Sequence, residues 1–142
     1  MVAHFVALLL LNAHGQVLLV RRINTPFCNG CYALPSCAIN SGQPATQAAL
    51  HEIKTTLGIT STDGDVSCRL VMHRKCNDPE FFMCIFQVLS TPEAMSNHDL
   101  QRYDDMQWFS LDALPENMVP AHRYALTCIA QGLTYAEHGW PG

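Results

Sequence analysis

Residues 41–58 constrain the fold of this chain more than any other stretch. Ser41-Gly42 reads as a turn. Pro44 suits the first turn of a helix, where a missing N–H costs nothing. Ala45, Ala49, Ile53 and Leu57 then recur every four residues and form one apolar stripe. Gly58 stands where a left-handed C-cap belongs. The spacing predicts a helix over Ala45–Leu57, and its stripe must lie on an apolar surface.

The flanking segments supply that surface. Ala3–Leu11 and Gln16–Arg22 are rich in Val and Leu, flank a turn at Gly15, and read as a hairpin of two strands. Ile23–Cys31 carries Asn, Pro and Gly and reads as loop. Tyr32–Ile39 reads as a short strand broken by Pro35. Val66–Arg74 and Phe81–Leu89 read as a second hairpin about the turn Cys76–Pro79. Thr91–Tyr103 is polar loop, Asp105–Phe109 a short strand, Leu111–Leu114 a tight turn, and Pro120–Gln131 a final helix with Gly132 after it. This order describes an α/β domain with layered helices and a mixed β-sheet. Residues 1–142 are 49% hydrophobic and 14% charged, against a usual charged share of ~25%, and are expected to form a single domain. Phe81, Phe82 and Trp108 fall on predicted strands and read as core.

Net charge is −4 with no block of Lys or Arg, so duplex nucleic acid is not an expected partner. No segment is long enough for a membrane-spanning helix, and no membrane partner is expected. Phe5–Leu11 resembles the apolar part of a signal peptide. No Lys or Arg precedes it, however, and a second apolar run follows at once, so none is expected. Seven scattered Cys, an odd number, suit free thiols in a reducing cytoplasm better than a disulfide framework.

The segment Pro35–Ile59 resembles a Nudix box: Gly, five residues, Glu, seven residues, Arg-Glu, an aliphatic, any residue, Glu-Glu, any residue, Gly, an aliphatic. In this chain those positions hold Cys37, Gln43, His51-Glu52, Ile53, Thr55-Thr56, Gly58 and Ile59. The frame is kept and most of the acids are replaced. Val17–Arg22, Gly30-x-Tyr32-x-Leu34-Pro35, Met72-His73-Arg74, Asp104–Phe109, Leu111–Pro115 and Tyr135–Trp140 are similar to other parts of one bacterial branch of that superfamily, which includes MutT-like proteins. The resemblance covers nearly the whole chain. It implies a Nudix-type α/β/α sandwich and a hydrolase of nucleoside diphosphates linked to another group, assisted by Mg²⁺ or Mn²⁺. It also brings an expectation of a homodimer.

In an intact box, the Glu of the Arg-Glu pair and the two late acids share one helix face and hold the metal. Here that face is Glu52, Thr55 and Thr56. Each carboxylate lost removes a Coulomb attraction of about 4 kcal/mol at contact distance. The metal is therefore expected to bind weakly or to arrive with the substrate. Glu52 is the only acid before Asp63, and the resemblance makes it the catalytic residue and a metal ligand. Asp99 falls where the branch carries a loop acid and is the second candidate ligand; it reads otherwise as a solvated loop residue. Arg22, rather than Arg21, is expected to face a phosphate, because the matching position is basic in related proteins. Tyr32, beside the presumed cleft, is a candidate for substrate binding. His51 reads as a surface residue in place of the box Arg.

Cys28-Asn-Gly-Cys31 has the spacing of half a zinc knuckle. No second Cys-x-x-Cys is present, and zinc is not expected. Two functions stay open. The chain is a Nudix-type hydrolase with an impaired metal site, or it is a non-hydrolytic module that binds a nucleotide, another small phosphorylated ligand or a protein.

Overall fold

The computed structural model describes residues 3–76, 80–91 and 95–141. Among the described residues, eight strands and two α-helices follow one another as β1 (Phe5–Leu9), β2 (Val17–Arg22), β3 (Tyr32–Ala33), β4 (Ser36–Ala38), α1 (Ala45–Leu57), β5 (Val66–Lys75), β6 (Glu80–Val88), β7 (Tyr103–Phe109), α2 (Pro120–Ala130) and β8 (Tyr135–His138). A single 3₁₀ turn, Asp63–Asp65, precedes β5.

The strands form two sheets. One is mixed and five-stranded, in the order β4-β1-β6-β5-β8; the other is three-stranded, in the order β3-β2-β7. Within the first, β1 runs parallel to β6 and β5 parallel to β8. The residues of β1 show how the layers form. Val6 and Leu8 pack with Ala49 and Ile53 of α1 on one face. Ala7 and Leu9 pack with Ala121 and Ala125 of α2 on the other. Strand alternation sends successive side chains to opposite faces. A strand covered on both sides therefore needs the continuous apolar run that Phe5–Leu9 provides. The result is the expected α/β/α sandwich with a mixed sheet.

Helix α1 has the predicted bounds. Gly58 closes it at φ 72°, with its N–H on the Lys54 carbonyl. Pro44 sits one position earlier than the first helical turn, as the N-cap.

One expectation is corrected and two features are added. The segments read as a first hairpin belong to different sheets: β1 and β2 do not pair, and backbone contact between the segments comes after β1, where Leu11 bridges Val17, Leu18 N–H reaches the Leu10 carbonyl and Asn12 N–H reaches the Gln16 carbonyl. The chain likewise changes sheet at Pro35, between β3 and β4. Strand β8 was not anticipated. It is held by parallel pairing with β5, and at its end Gly139 (φ 89°) lies so close to the Lys75 carbonyl that a Cβ would stand 1.9 Å from that oxygen. Of the turn expected at Cys76–Pro79, residues 77–79 lie outside the described residues.

Candidate functional site

Glu52 projects from the inner face of α1 and is 1% exposed. An isolated carboxylate at that depth would cost several kcal/mol. Its partner is Arg102, from the loop just before β7, whose Nη2 donates to Glu52 Oε1 at 2.8 Å and to Thr56 Oγ1 at 3.0 Å. The same guanidinium donates from Nε to Asp99 Oδ2 at 2.6 Å and from Nη1 to the Ser36 carbonyl at 2.9 Å. Tyr103 Oη lies 3.2 Å from both Glu52 Oε2 and the Ser36 carbonyl. Its single proton serves one of them at a time. One further bond holds this loop on the helix, from His98 N–H to the Thr56 carbonyl at 2.8 Å, and Asn97 Nδ2 ties the loop to the start of β7 through the Tyr103 carbonyl at 2.9 Å.

Burial pushes the Glu52 pKa up, while Arg102, Thr56 and Tyr103 pull it back; the net direction is upward. Burial works against the Arg102 charge, but Tyr103 and Glu52 outweigh it and raise its pKa. The two side chains meet as a salt bridge. Both candidate metal ligands, Glu52 and Asp99, thus face one guanidinium. Thr55 donates its hydroxyl to the His51 carbonyl at 2.6 Å within its own helix, and Gln43 Oε1 accepts from Asn40 N–H at 3.1 Å. Among the described residues, no group of three or more His, Cys, Asp or Glu side chains is arranged to hold a metal ion. The residues as they stand do not fit a divalent cation, because an organic cation already takes one oxygen of each carboxylate, Glu52 Oε1 and Asp99 Oδ2.

Three cavities adjoin this network, and the two larger of them take in the candidate site residues Glu52, Asp99 and Arg22. The smaller of these two, about 340 Å³, is lined by Gln43, His51, Glu52, Thr55, Asp99 and Arg102, among others. The larger is a cleft of about 700 Å³ bounded by Phe5, Phe27, Phe81 and Met83, with Arg22, Arg74, Arg102 and His122 on its wall. Cys37 lines both; burial and then Glu52 push its thiol up to about 12, so it is neutral.

Arg22 lines the cleft, whereas Arg21 reaches the surface and clamps Asp104 through Nε–Oδ1 at 2.7 Å and Nη2–Oδ2 at 3.0 Å. Asp104 is the extra residue where the pairing of β2 with β7 steps from Asp105 to Tyr103. Tyr32 is buried in the core, edge-on to Phe109, with its hydroxyl on Asp105, and it lines neither cavity. Phe81, read as core, lines the cleft. Phe82 is exposed and stacks on His73 at 4.3 Å.

Sequence reasoning missed Arg102, Arg74 and His122. The only local mark of Arg102 is its i, i+3 spacing from Asp99. His122 lies in the first turn of α2, where Nδ1 accepts the Leu34 N–H at 3.0 Å. Burial, then Arg74 and Arg22, hold its pKa down to about 3, so the ring is neutral with its proton on Nε2.

The two-helix sandwich, with its box-like helix against a cleft, defines a protein of the Nudix fold. A family model described as the NUDIX domain matches residues 2–127, and the chain belongs to that family. Solved structures agree in fold. A MutT NUDIX hydrolase from Burkholderia pseudomallei is 23% identical, with 88% of this chain and 95% of that one covered at a TM-score of 0.77. A MutT protein from Methanosarcina mazei Go1 is 20% identical, with 91% and 93% covered at 0.76. The NUDIX domain of Shewanella oneidensis NrtR, solved in complex with ADP ribose, is 19% identical, with 92% and 88% covered at 0.69. No curated protein matches the sequence. Among the described residues, no helix is long and apolar enough to cross a membrane.

Proposed function

We propose that this Nudix-family protein binds a small phosphorylated, nucleotide-like ligand in its large cleft and does so without a divalent cation. One observation carries the reading: Arg102 occupies both Glu52 and Asp99. A fixed positive charge stands where the resemblance expects Mg²⁺ or Mn²⁺, and two box acids are Thr55 and Thr56. Electrostatic stabilisation of developing charge is the main resource for phosphoryl chemistry, and a guanidinium that is already neutralised adds little to it. Binding is the remaining use of the cleft. The ADP ribose held by the NrtR domain supports the ligand class by analogy of fold.

A second reading keeps hydrolysis of a nucleoside diphosphate derivative, with metal borne by the substrate. The smaller cavity favours it, because Glu52, Asp99 and His51 share its wall. Incubation with a panel of nucleoside diphosphate derivatives and Mn²⁺, beside Glu52→Gln, separates the two. Turnover no greater than that of the variant, together with a thermal shift by nucleotide in EDTA, is the expected result. Metal-dependent turnover that Glu52→Gln abolishes would replace binding with hydrolysis. The homodimer expectation is carried as a proposal, to be checked by light scattering.

A further inference from the structure

We propose that the inner wall of the large cleft is a metal-free phosphomonoester site, in which Arg22 and Arg74 hold the phosphoryl oxygens, His122 adds a neutral donor, and Phe27 and Phe81 border the organic body of the ligand. This rests on the reading that the cleft binds a phosphorylated ligand, and it names the seat and charge of the recognised group.

The argument begins with a buried charge. Arg74 is 7% exposed, and its Nε, like that of Arg22, is buried with no hydrogen-bond partner among the described residues. Among the described residues, no carboxylate lines the cleft. Arg102 also lines it, but its charge is answered by Glu52 and Asp99. Arg22 has only a 3.4 Å contact from Nη2 to Thr25 Oγ1. What offsets the other two guanidiniums is aromatic: Arg22 lies 5.7 Å from the Phe27 ring centre and Arg74 5.0 Å from that of Phe81. A cation–π contact offsets less than the burial of an unpaired charge costs.

Two positive charges with no carboxylate partner among the described residues face one cleft. A phosphomonoester carries about −1.5 to −2 at neutral pH and presents three acceptor oxygens, which matches both the charge and the forked donors of Arg. His122 is 2% exposed and lines the same wall; since Nδ1 accepts from Leu34, Nε2–H is the donor left to the ring. The apolar walls Phe5, Phe27, Phe81 and Met83 suit a planar body attached to the phosphate. A nucleoside monophosphate has both parts.

The test uses the whole protein in EDTA, with AMP, adenosine and inorganic phosphate as probes in thermal-shift and calorimetric titrations. AMP is expected to raise the Tm, phosphate to do so at higher concentration, and adenosine not to. Arg74→Met and Arg22→Met should each weaken AMP by about tenfold or more, as loss of a charge-assisted bond does. Arg74→Met should also raise the Tm of the free protein, because it removes an unpaired buried charge. Should it fail to fold, Arg22→Met and Arg74→Lys carry the affinity test. Unchanged AMP affinity in these variants, or adenosine equal to AMP, overturns the site while leaving ligand binding by the cleft intact. No shift with any phosphorylated probe overturns both.

Discussion

Arg102 and Glu52 lie 50 residues apart in the chain and meet at 2.8 Å across the seam between α1 and the loop before β7. The contact joins the box-derived helix to the three-stranded sheet. It also sets the charge of the site, since the same guanidinium takes Asp99.

Loss of this cation should expose the cost of the carboxylate. Arg102→Met is expected to lower stability by about 2 kcal/mol at neutral pH. That is below the 3–5 kcal/mol seen for fully buried pairs, because Arg102 is itself more than one-third open to solvent. Glu52→Gln should cost less, as it leaves no buried charge. Urea denaturation of both single variants and of the double variant gives the coupling. Additive losses would show that the pair contributes nothing.

His122 makes stability depend on pH in a defined sense. Its folded pKa is depressed to about 3, and its unfolded value is ~6.5. The unfolded chain therefore binds the extra proton between those values. The stability this group contributes is full above pH ~6.5 and falls by up to about 1.4 kcal/mol per pH unit below it. Glu52, whose folded pKa is raised, acts in the opposite sense: its contribution is full below its unfolded value and is lost as pH rises through the folded one. The difference between wild type and His122→Asn isolates the histidine. Identical slopes for the two proteins from pH 4 to 7 would remove the buried neutral imidazole from the account.

Gly58→Ala combines two penalties. The backbone sits at φ 72°, and a Cβ there would stand 2.8 Å from His98 Nε2. A cost of about 1–2 kcal/mol is expected from the left-handed conformation, with a further loss as His98 is displaced from the loop that carries Arg102. Adding His98→Ala should recover the second part only. Equal midpoints for Gly58→Ala and Gly58→Ala/His98→Ala would show that the side-chain contact has no weight.

Arg21 and Asp104 form the best-aligned ion pair of the surface, and each is about 40% exposed. Solvent screens such pairs and their long side chains lose freedom in forming them. Asp104→Asn should leave the denaturation midpoint unchanged within error. A clear loss would mean that the clamp stabilises the irregular pairing of β2 with β7.

The fold was legible wherever a local pattern sufficed. The stripe Ala45–Leu57 and its closing Gly58 marked α1, and two segments about the turn at Cys76–Pro79 marked β5 and β6. What failed was sheet membership. Leu11 and Val17 do meet, but neighbouring segments do not reveal that a chain crosses between sheets, and β8 has only four residues with Glu137 and His138 among them. In the site, Glu52 and Arg22 could be found by register and strand position. Arg102 could not. It lies in a polar loop with no periodicity, and its importance arises from a contact that only the packed structure creates. Arg74 and His122 were hidden for another reason: apolar neighbours make a strand or helix residue look like part of an ordinary element.

The larger sheet ends in its two shortest strands. β4 has three residues and β8 four, while β6 and β5 between them have nine and ten. An open rim that short presents few free amide and carbonyl groups to a passing β-strand. Assembly by continuing this sheet into another molecule therefore has little to grip, and the longer free edge is that of β7, with seven residues, in the other sheet.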